Sequence, residues 1–424
     1  MTVVTNDATS GGALTRRLGV GDAVTIGLGS MIGAGVFAVL APAAQAAGSG
    51  LLVGLAIAAV IAYCNATSSA RLAALYPVSG GTYVYGRERL GEIWGYLAGW
   101  CFVVGKTASC AAMALTVGVY LWPDHAHAVA VAAVVAVTAV NYRGIRKSAL
   151  VTRAIVAVVL AVLAAVVVAA VSSTPADTGE HLAIGDDASV YGVLQAAALL
   201  FFAFAGYARI ATLGEEVRDP ARTIGRAIPT ALGIVLVVYA AVAVSALAVV
   251  GPAGLADAAA PLVETVRAAG ASGLAPVVQV GAAVAAIGSL LAMVLGVSRT
   301  TLAMARDGHL PRWLAAIHPQ HRVPHHAELA IGVIVAVLAA TVDVRGAIGF
   351  SSFGVLLYYA IANASAATLT RDERRPARVV TTLGLVGCVS LAATLPVGSV
   401  IAGCVVVALG VAVYLVRTIR HPRR

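Results

Sequence analysis

The stretch "TIGLGSMIGAGVFAVLAP", residues Thr25 to Pro42, is apolar enough to lie inside a membrane, yet it is rich in residues that weaken a helix. These residues are Gly27, Gly29, Gly33, Gly35 and Pro42. Inside a helix, glycine costs about 1 kcal/mol and proline about 3 kcal/mol relative to alanine. In the hydrocarbon core, non-helical backbone persists only where it lines a cavity or is buried in protein. The stretch therefore predicts an interrupted membrane helix beside an internal site.

The composition of the whole chain is that of an integral membrane protein. Of the 424 residues, 60% are apolar and 11% are charged, against about 45–50% and about 25% in soluble domains. The charged residues leave apolar runs near the roughly 20 residues that cross a bilayer as a helix. The short alternating segments of a membrane β-barrel are absent. We predict an all-α integral membrane protein with twelve transmembrane helices, which cover residues 20–47, 50–75, 93–121, 126–142, 149–171, 190–214, 226–250, 276–305, 327–343, 347–369, 377–395 and 397–417.

The basic residues predict the orientation of these helices. All but four of the 28 Lys and Arg residues fall on the side of the N-terminus; Arg267 and Arg345 lie on the other side, and Lys106 and Arg209 lie within spans. Basic residues mark the cytoplasmic side, so we expect both termini in the cytoplasm and the chain in the cell membrane. The net charge of +9 is then a topology signal. No nucleic-acid-binding motif accompanies it, and we expect no nucleic-acid partner.

A second interruption is predicted in the sixth span, which contains "LLFFAFAGYARIATLGEE" with Gly206 at its centre. Breaks in corresponding helices of two halves point to the binding site of a transporter. The breaks lie five spans apart, and a repeat with an odd number of helices inserts its second copy upside down. We therefore predict a 5+5 inverted repeat with two helices after it. The segments are a cytoplasmic tail (1–19), the first repeat (20–171), an external loop (172–189), the second repeat (190–369) and the last two helices with a short tail (370–424).

The first glycine cluster has two alternative interpretations. Gly29 and Gly33 form a GxxxG pair, which could serve close helix packing alone, and this alternative stays open. A dinucleotide-binding loop is excluded, because Ile32 stands where its third glycine belongs and no βαβ unit is present. A broken helix offers free N–H groups and a positive dipole end to a carboxylate, and its unwound carbonyls suit an ammonium group. A site that takes both is suited to an amino acid.

Four stretches of this sequence resemble the amino acid–polyamine–organocation (APC) transporter superfamily, whose members share a LeuT-like inverted-repeat fold. They are "GSMIGAGVF" (29–37), "YPVSGGTYVYGRERLG" (76–91), "FFAFAGYARIATLGEEVRDPARTIGRAI" (201–228) and "SRTTLAMARDGHLP" (298–311). The resemblance implies unwound helices one and six around an amino acid substrate. It also implies a set of substrate-binding residues, which is Met31, Gly33, Ala34, Gly35, Phe202, Ala205, Gly206 and Met293.

Within this set, the resemblance implies different roles for backbone and side chains. The N–H groups of Ala34 and Gly35 would bind the substrate carboxylate. The carbonyls of Met31, Phe202 and Ala205 would bind its α-amino group. The Phe202 ring would cover the site, and Met293 in helix eight would face the substrate side chain. For both of these side chains, ordinary core packing is the alternative.

The chain departs from the family pattern at residues that bear on coupling. Val159 stands where several members have a lysine that replaces a bound cation, and Gly105 and Lys106 stand where others often have a glutamate. A charge at the centre of a span costs at least about 2.5–3.5 kcal/mol and usually marks function. We expect Lys106 to be a fixed or titrating cation that tethers helix three to the unwound segments; the alternative is a purely structural cap on carbonyls.

Arg209 and Tyr207 are further candidates for coupling or gating. Structural pairing of Arg209 with free carbonyls, or with Glu215 or Glu216, is favoured. We find no acidic residue placed near mid-membrane. This favours neutral amino acids as the substrates over cationic amino acids or polyamines. A transporter of acidic amino acids and a non-transporting sensor with this fold stay open as alternatives.

An enzyme is not expected, because no HExxH motif, paired acids or Ser/His pair occurs in the spans. The histidines of residues 309–326 have irregular spacing, and we expect no metal site there. No cofactor is expected beyond a coupling ion, for which H⁺ and Na⁺ are both candidates. The expected partners are the substrate and the lipid bilayer; the sequence carries no signal for an oligomeric state.

Overall fold

A computed structural model describes residues 18–77, 80–144, 149–173, 177–211, 213 and 217–420, and over these residues the chain is almost entirely helical. The helices of the first half are α1 (Val20–Met31), α2 (Ala34–Ala38), α3 (Leu40–Ala47), α4 (Leu51–Leu75), α5 (Thr82–Leu90), α6 (Glu92–Leu121), α7 (Ala126–Tyr142) and α8 (Ala149–Ser173). Those of the second half are α9 (Thr178–Leu182), α10 (Val190–Phe204), α11 (Ala208–Ala211), α12 (Pro220–Asp257), α13 (Pro261–Ala268), α14 (Ala275–Arg306), α15 (His325–Thr341), α16 (Val344–Ala367), α17 (Arg378–Thr394) and α18 (Val397–Arg420).

The prediction of an all-α membrane protein is confirmed. Among the described residues, ten helical segments are long and apolar enough to cross a membrane. Two shorter apolar helices, α15 and α17, have 17 residues each. Each of the twelve predicted ranges overlaps one of these helical segments, of which ten are long enough to be candidate spans. The largest boundary difference is in α12, which begins at Pro220 because the Asp219 carboxylate caps its first turn, and continues beyond a kink at Gly251 (φ 73°).

Helix α6 lies at the centre of the bundle, with 89% of its membrane-crossing window buried. It packs on α14, α16, α5 and α7. Against α16 the two backbones meet directly: a Cβ on Gly354 would lie 3.0 Å from the Cα of Gly105. One turn from Gly105, the hydroxyl oxygens of Ser109 and Ser351 lie 2.6 Å apart. This contact fixes the position of α6 on α16 next to Lys106.

A buried polar network joins α4, α16 and α17. The Asn363 amide donates to the Asn65 side-chain oxygen (2.6 Å) and to the Tyr359 carbonyl (2.9 Å). Ser68 donates to Asn363 (2.7 Å), and the Asn65 amide lies 3.2 Å from Cys388 Sγ. A polar group buried without a partner is destabilising, whereas a satisfied network specifies one arrangement. The network therefore ties α17 to the two helices that carry the asparagines.

Residues Thr82–Leu90 form the short helix α5, which precedes α6. Glycines in the left-handed region bound it, Gly81 (φ 57°) before its start and Gly91 (φ 104°) after its end. Its Tyr83 hydroxyl donates to Asp307 Oδ2 (2.5 Å) and lies 2.8 Å from His309 Nδ1. Helix α5 therefore lies close to the end of α14. We call this end of the bundle the His309 end.

The loop between α16 and α17 is held at the same end by Glu373. Arg89 of α5 binds the Glu373 carboxylate, which also accepts from the backbone N–H of Thr370 (2.8 Å). The hydrogen bond from Arg89, followed by that from Thr370, lowers the pKa of Glu373 to about 2. Arg71 at the end of α4 donates to the Glu373 carbonyl (2.6 Å). Glu373 therefore links its loop to α5 through the ionised carboxylate and to α4 through the backbone carbonyl.

At the opposite end of the bundle, the segment before α10 is fastened to the turn after α3. The backbone N–H of Ser49 donates to Asp187 Oδ2 (2.9 Å) and its hydroxyl to Oδ1 (2.5 Å). The same hydroxyl accepts from the N–H of Gly185 (2.9 Å). These bonds from Ser49 lower the pKa of Asp187. Gly48 has φ 54°, a conformation that side chains rarely adopt.

Candidate functional site

The first predicted interruption is present between α1 and α2. Helix α1 ends at Met31, and Ile32 (φ −80°, ψ 58°) and Gly33 (φ −111°, ψ −136°) are not helical. No side chain caps the start of α2, and the first N–H groups of a helix have no acceptor within it. Val39 joins α2 to α3 in helical conformation. The helical segment formed by α2 and α3 therefore extends from Ala34 to Ala47, and its first N–H groups lie at the break.

The second interruption is milder than the sequence predicted. Helix α10 ends at Phe204, and a 3₁₀ turn of Ala205, Gly206 and Tyr207 leads into α11. A 3₁₀ turn still frees carbonyls from the α-helical ladder, because its bonds run between residues three apart. The Ala205 carbonyl accepts from two side chains, Lys106 Nζ at 3.3 Å and the Tyr359 hydroxyl at 3.2 Å.

The two interruptions touch each other through backbone atoms. A Cβ on Gly206 would lie 2.2 Å from the carbonyl oxygen of Ser30 and 2.7 Å from the nitrogen of Met31. A Cβ on Gly35 would lie 2.8 Å from the Cα of Ala203. All three distances are shorter than real Cβ contacts, so only glycine permits this approach. Gly206 and Gly35, one from each interrupted helix, therefore allow the two helices to meet.

Gly29 and Gly33 also allow close helix packing, which is the alternative interpretation of this GxxxG pair. A Cβ on Gly29 would lie 3.2 Å from Cγ2 of Val156 in α8, and one on Gly33 would lie 1.8 Å from the Ser289 hydroxyl of α14. The Ser289 hydroxyl also lies 3.4 Å from the Gly29 carbonyl. The same glycines thus serve packing on one side and the interruption on the other.

Tyrosine hydroxyls satisfy carbonyls freed near the first break, and the sequence reasoning missed them. The Tyr239 hydroxyl of α12 donates to the Met31 carbonyl (2.5 Å) and lies 3.1 Å from the Ala203 carbonyl. The Tyr120 hydroxyl of α6 donates to the carbonyl of Phe37 (2.8 Å). A buried tyrosine usually finds a partner for its O–H. Isolated tyrosines within apolar spans were the signal that could have indicated these contacts.

The predicted side chains fall into two groups. Met31, Ala34, Phe202 and Ala205 are buried at the junction, none with more than 8% of its surface exposed, so the junction is closed to solvent. Tyr207 is fully buried and lies against the Tyr359 ring, with centroids 5.0 Å apart.

Met293 is less closely associated with the junction. It is partly buried on α14, one turn after the Ser289 that reaches Gly33. Arg209 is partly buried in α11, and its proposed partners Glu215 and Glu216 lie outside the described residues. Val159 is fully buried in α8.

Beyond the junction, a cavity of about 290 Å³ opens at the end opposite His309. Its lining includes Phe37, Pro42 and Gln45 of the α2–α3 run, Tyr120 near the end of α6 and Arg345 at the start of α16. The Arg345 guanidinium donates to the side-chain oxygen of Gln45. The cavity therefore begins two residues beyond Gly35, on the side toward which α2 runs.

One buried acid was not foreseen. Glu328 in the first turn of α15 is fully buried, and neither carboxylate oxygen has a hydrogen-bond partner within the part of the chain that the structure describes. Helix α15 packs mainly on α7, α6 and α14. The structure does not bring Glu328 to the interrupted segments.

Comparison with known proteins agrees with this architecture. The sequence model of a family described as amino acid permease matches residues 18–417. An uncharacterized transporter of Mycobacterium tuberculosis (strain ATCC 25618 / H37Rv) is 73% identical over 406 residues, which are 96% of this chain and 92% of that protein. The branched-chain amino acid permease BcaP of Bacillus subtilis (strain 168) is 27% identical over 98% of this chain and 96% of its own length. Cationic amino acid transporter 7, chloroplastic, of Arabidopsis thaliana is 30% identical over 84% of this chain and 66% of its own. Since the family match covers nearly the whole described chain and these relatives are named as transporters, the protein belongs to the amino acid permease family, as the APC resemblance predicted.

Proposed function

We propose that this protein is a secondary active transporter that moves neutral amino acids across the cytoplasmic membrane by alternating access. The observation that carries the proposal is the contact of two interrupted helices at Gly206 and Ser30. Interrupted helices supply polar backbone groups in an environment that otherwise has none. A small dipolar solute is the kind of ligand that such groups can bind without ionised protein side chains.

The two ends of the substrate use different parts of the junction. The substrate carboxylate binds the N–H groups of Ala34 and Gly35 at the start of α2, where the helix dipole favours negative charge. The α-ammonium group binds the carbonyls of Met31, Phe202 and Ala205. Phe202 covers the substrate, and Met293 contacts its side chain.

The substrate class follows from the charges near the junction. Lys106 is the ionisable side chain bonded to the Ala205 carbonyl, and no carboxylate of the described residues forms an ion pair with it. A cationic side chain on the substrate would add a second positive charge in a medium of low dielectric constant. Relatives are named for branched-chain and for cationic amino acids; the Lys106 geometry favours the neutral class.

The membrane topology of the proposal is twelve spans in a 5+5 inverted repeat followed by α17 and α18. The His309 end faces the cytoplasm, with both termini, and the cavity lined by Phe37 and Arg345 faces outward. Alternating access consists of the opening of the junction first toward this cavity and then toward the His309 end.

The test is uptake by proteoliposomes that contain the purified protein. Radiolabelled L-leucine, L-alanine, glycine, L-arginine, L-glutamate and putrescine are compared, with proton and sodium gradients imposed separately. We expect saturable uptake of the neutral amino acids. No uptake of any compound above that of protein-free liposomes would refute the transport function; preferential uptake of arginine or putrescine would refute the substrate class. The separate gradients distinguish H⁺ from Na⁺ as the coupling ion.

A further inference from the structure

Lys106 occupies a position that the substrate itself would need. Its ammonium nitrogen lies 3.3 Å from the Ala205 carbonyl oxygen, and the Tyr359 hydroxyl lies 3.2 Å from the same oxygen. A carbonyl oxygen has two lone pairs, so these two donors saturate it. An incoming α-ammonium group can reach this oxygen only after a protein donor has left.

The backbone at Lys106 is held in place, whereas its side chain contains four rotatable bonds. Lys106 has 4% of its surface exposed, and its neighbour Gly105 packs on α16 so closely that a Cβ there would lie 3.2 Å from the Ser351 carbonyl. Helix α6 therefore has little freedom to carry the residue away. The movable part is the ammonium group at the end of four rotatable bonds.

Among the described residues, Lys106 has no carboxylate as an ion-pair partner. The ionisable groups around it are Cys110 one turn further along α6, and Tyr359 and Tyr207 on the facing segments. In the described part of the chain, no Asp or Glu lies within ion-pair distance of its nitrogen. Two ammonium groups beside one carbonyl would repel each other strongly at low dielectric constant.

We propose that Lys106 is an internal competitor of the substrate: its ammonium holds the Ala205 carbonyl in the empty carrier, and amino acid binding displaces it with the loss of one proton. This inference rests on the proposed function and adds the coupling step. The protonated lysine and the zwitterionic amino acid give a neutral lysine, the bound zwitterion and one H⁺ released to water, so atoms and charge balance. The empty carrier returns with the proton on Lys106, so the amino acid and the proton move in opposite directions.

The first experiment is calorimetric titration of the purified protein with L-leucine and L-alanine. Measurements in buffers of different ionisation enthalpy count the protons released, and the pH is varied between about 6 and about 9. By linkage, release of one proton makes the affinity rise about tenfold per pH unit. We expect this slope and about one proton released in the wild type. A slope and a proton count near zero, with binding intact, would overturn the inference while the transport proposal stands; absence of any amino acid binding would overturn both.

Two variants separate competition from a structural role. Lys106→Met removes the titrating donor and should bind leucine with no pH slope. Tyr359→Phe removes the other donor to the same carbonyl and should keep the slope, because a tyrosine hydroxyl stays protonated in this pH range. Equal slopes in the wild type and in Lys106→Met would contradict the assignment. If Lys106→Met does not fold, Lys106→Arg tests the same point, since arginine stays charged and should weaken binding at every pH.

Transport provides an independent measurement. Proteoliposomes loaded with a pH-sensitive dye should become more alkaline inside during leucine uptake, because protons leave as leucine enters. Acidification of the interior in step with uptake would overturn the inference.

Discussion

Substitution of Gly206 by alanine tests the junction of the two interrupted helices most directly. The added Cβ would lie 2.2 Å from the Ser30 carbonyl oxygen, 2.4 Å from the Ser30 carbonyl carbon and 2.7 Å from the nitrogen of Met31. Real Cβ atoms essentially never come closer than 3.0 Å, so the Ser30 oxygen must retreat by at least the difference, 0.8 Å. All three neighbours are backbone atoms, and no rotamer change can relieve the overlap.

The magnitude follows from the cost of overpacking, which is about 1–3 kcal/mol for a methyl group in a tight site. Because the obstacle is backbone, we expect the upper part of this range. At about 1.4 kcal/mol per tenfold change, a cost of about 2–3 kcal/mol should make the closed junction about 25-fold to 150-fold less favourable. The initial rate of leucine uptake at low concentration should fall by a similar factor, and the midpoint of thermal unfolding in detergent should decrease.

Gly233→Ala is the matched control. Gly233 lies within α12, and no atom lies within 4 Å of a Cβ added there. Alanine is favoured over glycine in a helix by about 1 kcal/mol, so this variant should keep wild-type uptake and have an equal or higher unfolding midpoint. Wild-type uptake and unfolding in Gly206→Ala, measured beside this control, would refute the direct contact of the two breaks.

Three further outcomes are expected. Tyr239→Phe leaves the Met31 carbonyl without its hydrogen-bond donor. The free energy of unfolding should fall by about 1–3 kcal/mol, measured by thermal unfolding in detergent, and uptake in the liposome assay should decrease. Glu373→Gln should remove the stabilisation that comes from the ion pair with Arg89. The wild type has this stabilisation above about pH 4.5 and loses it as the pH falls toward about 2. Unfolding midpoints measured between about pH 3 and about pH 7 test this expectation. Asp187→Asn should loosen the segment before α10, because the pKa of Asp187 is lowered and its ionised form accepts the hydrogen bonds; limited proteolysis from the cavity side measures the loosening.

Each of these variants has a matched control of the same residue type. Tyr63 is 56% exposed on α4, and Tyr63→Phe should leave both stability and uptake unchanged. Asp372→Asn and Asp186→Asn remove adjacent carboxylates that make none of the bonds described above. An effect of the same size in a control as in its partner variant would refute the specific contact and indicate a general effect of the substitution.

The sequence predicted most of the fold because the bilayer imposes strong rules on it. Apolar length located ten helical segments that are long enough to cross a membrane and two shorter apolar helices among the described residues, and the density of glycines around Gly33 placed the first break within a residue of its observed position. Lys106 was expected to tether helix three to an unwound segment, and its bond to Ala205 has that geometry. These predictions depend on local composition, which a single chain displays.

The partners across the bundle could not be predicted in the same way. The pairing of Tyr239 with Met31 joins residues 208 positions apart, and nothing in the local pattern of α12 specifies which carbonyl its hydroxyl meets. Glu328 lies near the start of an apolar run, where a charge normally reaches water; its burial depends on how α7 and α14 close around α15. The 3₁₀ form of the second break likewise depends on the donors that hold the Ala205 carbonyl.

The asparagine network of α4, α16 and α17 has a consequence for how the chain matures during synthesis. Asn65 enters the membrane early, whereas Asn363 and Cys388 follow some 300 residues later. Until α16 is inserted, the side chain of Asn65 lacks its partner Asn363, so the nascent bundle has to tolerate an exposed polar group or hold it near translocon proteins; α17 then adds the contact with Cys388. A chain that stops before α16 should therefore be recognised by membrane quality control as incomplete, even though it already contains both interrupted helices.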